Sequence, residues 1–300
     1  PNIPVHRFFT LRNGLTLGKA IAMCGLDPDA PFYDLHIRAL CGKLIIPNWP
    51  MFADRLDLIV RETRTCLALV SVDGQKYFSN NTHPVFSIGN IVRVVLYELA
   101  IKEFGFEQVH SFVGKEPSGQ AEDSLRLNDD NLPYNPLTLS GCLTICGLLL
   151  TVSSIQEIHQ QIRVRLNYHA DEQFGSGQPT SERVKCLLHL LGSIRPEIVQ
   201  HGPQILDLYE SSHQISVDLS TVAQFAKSLA TGTRKESMLS RNGVILSILF
   251  SCGMDELSGE WSFKFGVPAK SNGQGVVMVI VPGIMGYAVA NCERNTLAQF

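Results

Sequence analysis

The spacing of apolar and polar positions changes along the chain, and each change predicts a different kind of element. A compact apolar run, Cys66–Val72, is followed by an Asp-Gly pair and by extended residues 75–79. An Asp-Gly pair between two β-rich runs predicts a hairpin. A helix is predicted from about Ser87 to Gly105, because apolar residues there recur at helical spacing.

The rest of the chain is helical in its middle and β-rich at its end. Helical patterns dominate as far as residue 250, with loops predicted at 114–140 and 168–182. Strand patterns then return in three runs, Glu260–Gly266, Gly275–Val281 and Ile284–Ala290. Strands joined by tight turns pair antiparallel, so the pattern predicts an α+β fold in which early and late strands share one antiparallel sheet.

This layout predicts three parts in the chain. Residues 1–60 form an N-terminal helical segment. Residues 61–85 and 251–300 together form the antiparallel sheet part. Residues 86–250 form a helical lobe inserted between the two pieces of the sheet part.

Composition excludes several classes of protein. Hydrophobic residues make up 45% and charged residues 18% of the chain, whereas an average soluble domain has about 25% charged residues. A disordered chain is excluded by this balance, and a net charge of −3 lacks the electrostatic signature of a nucleic-acid partner. No uninterrupted apolar stretch reaches the ~18 residues of a membrane span. The eight cysteines are irregularly spaced and predict free thiols, and no metal-binding motif accompanies Cys142 and Cys146.

Several motifs, in one order along most of the chain, resemble those of the glutaminase family. They are IPVH at 3–6, VDGQ at 72–75, VGKEPSG at 113–119, NDDNLPYNP at 128–136, SER at 181–183, ILDLY at 205–209, SCGM at 251–254, SG at 258–259, VPAKS at 267–271 and VPGIMG at 281–286. The resemblance implies a fold like that of serine β-lactamases and penicillin-binding proteins, in which an antiparallel sheet with covering helices joins a helical lobe. It also implies hydrolysis of glutamine to glutamate and ammonia through an acyl-enzyme. Similarity to the animal kidney- and liver-type members implies a mitochondrial location.

The resemblance places the family's catalytic serine at Asn90 and its lysine at Arg93. An asparagine amide is not a useful nucleophile, and an arginine side chain is not deprotonated in proteins. Four further positions depart from the family's pattern at substrate-contacting or active-site residues: Leu139, His189, Asp255 and Gly273. The sequence therefore predicts that no catalytic residue of the family's mechanism remains.

Some substrate-binding positions of the family are kept. Glu182 and Tyr209 match the family's substrate-binding glutamate and tyrosine. Lys270 and Ser271 resemble the start of the Lys-Ser/Thr-Gly motif of penicillin-binding relatives. These four residues are interpreted as a remnant of the binding site, although Glu182 is equally suited to a structural ion pair with Arg93 or Arg183.

Two classes of function follow from these residues. The first is a protein that is not an enzyme: a glutaminase-like structural or assembly protein, paired with itself, with a glutaminase paralogue or within a larger assembly. The alternative is a glutaminase with an atypical active site, built on a nucleophile such as Ser87 or Cys252, or a sensor that binds a small ligand through Glu182 and Tyr209. No cofactor and no metal ion are expected in either case.

Overall fold

The computed structural model describes residues 44–79, 85–121, 124–167, 181–231 and 240–291. The helices are α1 Trp49–Thr63, α2 Val92–His110, α3 Leu139–Leu150, α4 Ile155–Leu166, α5 Glu182–Ile194, α6 Pro196–Val199, α7 Gly202–His213, α8 Leu219–Ala230, α9 Arg241–Cys252 and α10 Ser258–Phe265. The strands are β1 Thr65–Ser71, β2 Lys76–Phe78, β3 Phe86–Ser87, β4 Ser216–Val217, β5 Ala269–Ser271, β6 Val276–Val281 and β7 Met285–Asn291. Two 3₁₀ turns, Gly89–Ile91 and Asp255–Leu257, precede α2 and α10. The helices predicted within residues 5–43 and most of the loop predicted at 168–182 lie outside the described residues.

Five strands form one antiparallel sheet in the order β2-β1-β7-β6-β5. The predicted hairpin is present as β1 and β2, and the last two predicted strands are present as β6 and β7. Strand β1 lies between β2 and β7, so the early and late parts of the chain meet in the sheet. The predicted α+β class with an antiparallel sheet is confirmed.

Helices cover both faces of this sheet because β1 is apolar on both sides. Helix α1 packs through Val60 against Leu69 and Tyr77. Ala68 and Val70, which point to the opposite face, join the main core with α8. Helix α8 lies within the stretch predicted as an inserted lobe and nevertheless packs against the sheet. The division of the chain into three parts stays a prediction.

Helices α2 and α3 run through the main core. Every residue of α3 is buried, and α2 is buried from Val92 to Ile101. Gly105 interrupts α2 with a φ of 77°, a backbone conformation that glycine adopts without steric cost. Within the described ranges no single helix is long and apolar enough to cross a membrane. Helices α3 and α4 together reach that length and apolar content, but the pair is bent by 112°.

The strand predicted at Glu260–Gly266 is wrong, because most of this stretch is helix α10. The apolar residues of this stretch alternate as they do in a strand. Side chains four residues apart also interact, however, and such pairs stabilise a helix. The ring centroids of Trp261 and Phe265 lie 4.4 Å apart, and Lys264 bonds to Glu260 at 2.6 Å. The edge strand beside β6 is the short β5, which the sequence pattern did not predict. The prediction of free cysteines is confirmed for Cys142, Cys146, Cys186 and Cys252 and is wrong for Cys66, which is disulfide-bonded.

The contact between α8 and β7 leads to a test of the fold. A Cβ atom at Gly286 would lie 2.1 Å from the backbone nitrogen of Lys227 and 2.3 Å from the carbonyl carbon of Ala226. We expect Gly286→Ala to lower the free energy of unfolding by about 1–3 kcal/mol or more, because the helix has to move away from the sheet. Urea unfolding measures this loss.

Gly259→Ala is the matched control for that substitution. No atom lies within 4 Å of a Cβ at Gly259, and alanine favours a helix over glycine by roughly 0.5–1 kcal/mol. The control is therefore expected to leave stability unchanged or raise it. Equal effects of the two substitutions would contradict the packing described for Gly286.

Candidate active site

Asn90, the residue predicted to stand in place of the family's serine, lies in a tight turn that contacts the end of strand β5. Gly89 has a φ of 54°, and a Cβ atom there would lie 2.3 Å from the carbonyl oxygen of Asn272. Only glycine permits this approach. The backbone N–H of Asn90 donates to the same carbonyl at 3.2 Å, and Asn90 is 8% exposed. The start of α2 is thereby fixed against the end of β5.

Strand β5 and the turn after it carry the second group of site residues. Lys270 is fully buried, and its Nζ lies 2.9 and 3.2 Å from the two carboxylate oxygens of Asp255. Gly273, at a φ of 83°, lies so close to Asn90 that a Cβ atom would be 3.2 Å from the Asn90 side-chain nitrogen. The predicted positions 90 and 273 are therefore neighbours, and Lys270, three positions before Gly273, pairs with Asp255.

Arg93 lies one helical turn beyond Asn90 and is 1% exposed. Its Nη1 donates to the carbonyl of Leu137 at 2.8 Å, and its Nε donates to Nε2 of His213 at 3.2 Å. The other ring nitrogen of His213 lies 2.7 Å from the carbonyl of Tyr209. A carbonyl only accepts hydrogen bonds, so Nδ1 carries the proton and Nε2 is free to accept from Arg93. The arginine is therefore held by a neutral histidine.

Electrostatics keep this histidine neutral. The pKa of His213 is lowered to about 3, mainly by burial and also by the positive charges of Arg93 and Lys270, against the opposing hydrogen bond to the Tyr209 carbonyl. The rings of Tyr209 and His213 are in contact, with centroids 4.1 Å apart and planes tilted by 43°. Tyr209, a predicted binding residue, thus belongs to the same cluster as Arg93 and Lys270.

These residues, Asn90, Arg93, Tyr209, His213, Asp255, Lys270 and Gly273, are called the cluster below. The cluster combines several hydrogen-bond donors with one carboxylate, that of Asp255. Lys270 and Arg93 supply positive charge, Asn90 supplies a side-chain amide, and Asp255 supplies an acceptor that can take a proton. Asp255 has a φ of 53°, a left-handed conformation that is uncommon for a residue other than glycine and occurs often at functional sites. This arrangement is suited to polarising a carbonyl group and activating a water molecule.

Three predicted site residues have different surroundings. Glu182 has a side chain that is 85% exposed and bonds to Lys185 at 2.8 Å, whereas the sequence predicted a ligand contact or a pair with Arg93 or Arg183. His189 is exposed on the same helix, α5. Leu139 is buried in the core as the first residue of α3, two positions after the carbonyl that holds Arg93. The remaining predicted residue, Ser271, is half-buried on β5 beside Lys270.

Sequence analysis missed two parts of the cluster. His213 lies four residues after Tyr209 on α7, a spacing that places two side chains on one face of a helix and could have indicated it. The Leu137 carbonyl could not have been found, because a backbone group carries no sequence signal.

Within the described ranges, no group of three or more histidine, cysteine, aspartate or glutamate residues is arranged to hold a metal ion. A surface pocket of about 440 Å³ lies between the start of α4 and Gln204, and none of the cluster residues lines it.

Comparison with known proteins identifies relatives of one kind. The family model described as Glutaminase matches residues 55–293. A Caenorhabditis elegans protein named "Putative glutaminase 2" is 28% identical over 90% of this chain and 51% of its own length. The rat "Glutaminase liver isoform, mitochondrial" is 28% identical over 84% of this chain and 48% of its own length. The chain thus spans about half the length of these two curated relatives.

A solved structure supports the fold. The crystal structure of a Bacillus glutaminase superimposes with a TM-score of 0.71 at 22% identity, covering 80% of this chain and 90% of that one. The predicted serine β-lactamase-like fold is confirmed. The prediction that this chain is not an enzyme is contradicted, because the family model and the relatives carry the name of an enzyme and none of them indicates an inactive member.

The neutral state of His213 makes stability depend on pH. A histidine whose pKa is lowered by folding stabilises the folded state fully above its unfolded pKa of ~6.5 and progressively less below it. We expect wild-type protein to lose about 3 kcal/mol from this group alone between pH 7.5 and 4.5. His213→Gln, whose side-chain oxygen can still accept from Arg93, should show a flatter decline in urea unfolding over this range. His189→Gln, an exposed control, should follow the wild type, and parallel curves for all three proteins would contradict the prediction.

Proposed function

This chain belongs to the glutaminase family, and from that premise we propose that it hydrolyses the side-chain amide of glutamine without a serine nucleophile and without a lysine base that activates such a serine. The observation that carries the proposal is the ion pair of Lys270 with Asp255, because Lys270 lies on the strand that is followed directly by Asn272, the residue whose carbonyl accepts from Asn90. It unites a proton acceptor with a fixed positive charge. Relatives named glutaminases supply the substrate class.

The proposed reaction uses water in place of a covalent intermediate. The Asp255 carboxylate takes a proton from a water molecule, whose oxygen attacks the carbonyl carbon of the substrate amide. The ammonium of Lys270 and the side-chain amide of Asn90 stabilise the resulting oxyanion. Protonated Asp255 then gives its proton to the amide nitrogen, the C–N bond breaks, and glutamate and ammonia leave.

The two nucleophiles considered from the sequence fit this role less well than a water molecule. Burial raises the pKa of Cys252 to about 11, and the thiolate rather than the thiol is the reactive form. The Cys252 thiol lies 3.7 Å from the carbonyl of Lys115. Ser87 lies on β3, three positions before Asn90, and its backbone carbonyl accepts from the side-chain amide of Asn272 at 3.3 Å.

We also propose that the protein associates with a second copy of itself. Three apolar side chains are exposed near α10: Leu257 at 54%, Phe263 at 92% and Phe265 at 59%. Exposed apolar area concentrated in one short segment is typical of interaction surfaces in soluble proteins. Glu260 and Lys264, which form an ion pair at 2.6 Å, lie on the same short helix.

A mitochondrial location is proposed from the rat relative, whose name places that protein in the mitochondrion. Fractionation of cells that express the full-length protein tests it. Recovery with mitochondrial markers supports the location, and recovery with cytosolic markers alone contradicts it.

The central test measures ammonia released from glutamine. We expect a low but measurable rate in wild-type protein and a loss of about 100-fold or more in Asp255→Asn, because the asparagine cannot accept the proton. Glu256→Gln, which removes the exposed carboxylate one residue later, should retain the wild-type rate. Cys252→Ala and Ser87→Ala should also remain active.

Two outcomes would contradict this proposal. One is a wild-type protein that releases no ammonia above background although glutamine raises its melting temperature. The other is activity that survives in Asp255→Asn and disappears in Cys252→Ala or Ser87→Ala, which would assign the reaction to one of those nucleophiles.

The proposed association is tested by light scattering after gel filtration. We expect Phe263→Glu to lower the molar mass of the wild-type oligomer at micromolar concentration, because the change places a charge in an apolar contact. Val164→Glu changes another exposed apolar residue, 70% exposed on α4, and should leave the oligomer intact. A wild-type chain that remains monomeric would contradict the proposal.

A further inference from the structure

Ser258 closes the turn that carries Asp255. It is the first residue of α10 and is 3% exposed. Its hydroxyl oxygen accepts from the backbone N–H of Met254 at 3.0 Å and donates to the backbone carbonyl of Asp255 at 2.8 Å. Because a backbone N–H only donates and a carbonyl only accepts, the direction of both hydrogen bonds is fixed. One hydroxyl group therefore holds the backbone on both sides of the Asp255 Cα atom.

The backbone of Asp255 has a conformation that needs such support. Its φ of 53° lies in the left-handed region, which is unfavourable for a residue with a Cβ atom, although aspartate enters it more readily than most residues. Such conformations persist where surrounding contacts hold them, and they are concentrated at functional sites. The backbone N–H of Ser258 also donates to the Asp255 carbonyl, so this carbonyl accepts two hydrogen bonds from the same residue.

Gly253 sets the distance between this turn and strand β5. A Cβ atom at position 253 would collide with the carbonyl oxygen of Ala269, the residue that directly precedes Lys270. The N–H of Gly253 donates to the carbonyl of Leu249 at 3.1 Å and so continues from the end of α9. The backbone of the turn is thereby held against β5, and the conformation at position 255 decides in which direction the carboxylate leaves it.

That direction brings the carboxylate of Asp255 to Lys270. Both carboxylate oxygens lie within hydrogen-bond distance of Nζ, at 2.9 and 3.2 Å. The side chain of Lys270 is fully buried, and that of Asp255 is 14% exposed. A right-handed conformation at position 255 would turn its Cβ atom to a different side of the backbone and separate the carboxylate from the ammonium.

We propose that Ser258 is a positioning residue of the candidate active site: its hydroxyl group holds Asp255 in the left-handed conformation that directs the carboxylate to Lys270. Ser258 acts only through Asp255 and makes no contact with the substrate. The inference rests on the proposed function where that function makes Asp255 the proton acceptor. It gives a role to the serine of the SG motif at 258–259, which the sequence analysis noted for its resemblance alone.

Crystal structures of the wild type and of Ser258 variants test the geometry without substrate. We expect Ser258→Ala to lose the positive φ at Asp255 and to separate its carboxylate from Nζ of Lys270 by more than about 4 Å, the limit of an ion pair. Ser258→Thr keeps the hydroxyl group and should keep both the conformation and the ion pair.

Ser262→Ala is the matched control. Ser262 lies on the same helix, and its hydroxyl donates to the carbonyl of Phe250 at 2.6 Å, away from Asp255. This variant should keep the wild-type conformation at position 255. If Ser258→Ala does not fold, Ser258→Cys replaces it. The thiol is only a weak donor and acceptor, and the same separation of the two charged groups is expected.

Ammonia release from glutamine gives the second measurement. We expect Ser258→Ala to lower kcat about tenfold or more and to change KM less than about twofold, because a displaced catalytic group slows the chemical step. Ser258→Thr should restore kcat to within about threefold of the wild type, since it restores the hydroxyl group. Ser262→Ala should have the wild-type kcat. A loss of stability alone would not produce this split between kcat and KM with rescue by threonine.

Four results would overturn the inference. They are a wild-type structure without the ion pair, an intact ion pair in Ser258→Ala, its loss in Ser262→Ala, and an unchanged kcat of Ser258→Ala in an active protein. A wild type that hydrolyses no glutamine would contradict the proposed function alone, because the structures still show whether Ser258 directs Asp255 to Lys270. An intact ion pair in Ser258→Ala would overturn the positioning role and leave hydrolysis by Asp255 standing.

Discussion

The close approach of the Gly89 turn to the end of β5 is the constraint on which the candidate site depends. The carbonyl of Asn272 accepts from Asn90 and occupies the space that a side chain at position 89 would need. Helix α2 is therefore fixed to the sheet at its first turn. Every functional group on α2 takes its position from this contact, and Arg93, one turn later, is directed into the core rather than towards solvent.

Two buried cations near that contact set the chemistry that the cluster can perform. Burying a charge is costly unless hydrogen bonds or an opposite charge offset it. Asp255 offsets the charge of Lys270, while a neutral His213 and the Leu137 carbonyl accept hydrogen bonds from Arg93. In the proposed mechanism these cations polarise the substrate and the Asp255 carboxylate accepts a proton, in place of the serine and lysine that the family resemblance assigns to positions 90 and 93. This difference accounts for a proposed mechanism that relies on water.

The sequence predicted those features that depend on local spacing. The hairpin of β1 and β2 followed from an Asp-Gly pair, and β6 and β7 followed from short apolar runs with turn residues between them. Helix α10 was predicted as a strand because Trp261, Phe263 and Phe265 alternate, a pattern compatible with either structure in so short a run. Exposure of Phe263 and Phe265 shows that the alternation does not reflect a buried face.

Sequence alone determined the fold class and the family, because motifs and the spacing of apolar residues depend only on the order of residues along the chain. It also showed which side chains occupy positions 90, 93, 255 and 270. Only the tertiary structure decided which of these residues meet. It brought His213 to Arg93 across 120 positions of chain, paired Lys270 with Asp255, and left Glu182 in an exposed pair with Lys185. The physical reason is that these contacts join segments that are distant in sequence. The backbone hydrogen bonds of Leu137 and Asn272 are examples, and the local pattern of residues does not predict such bonds.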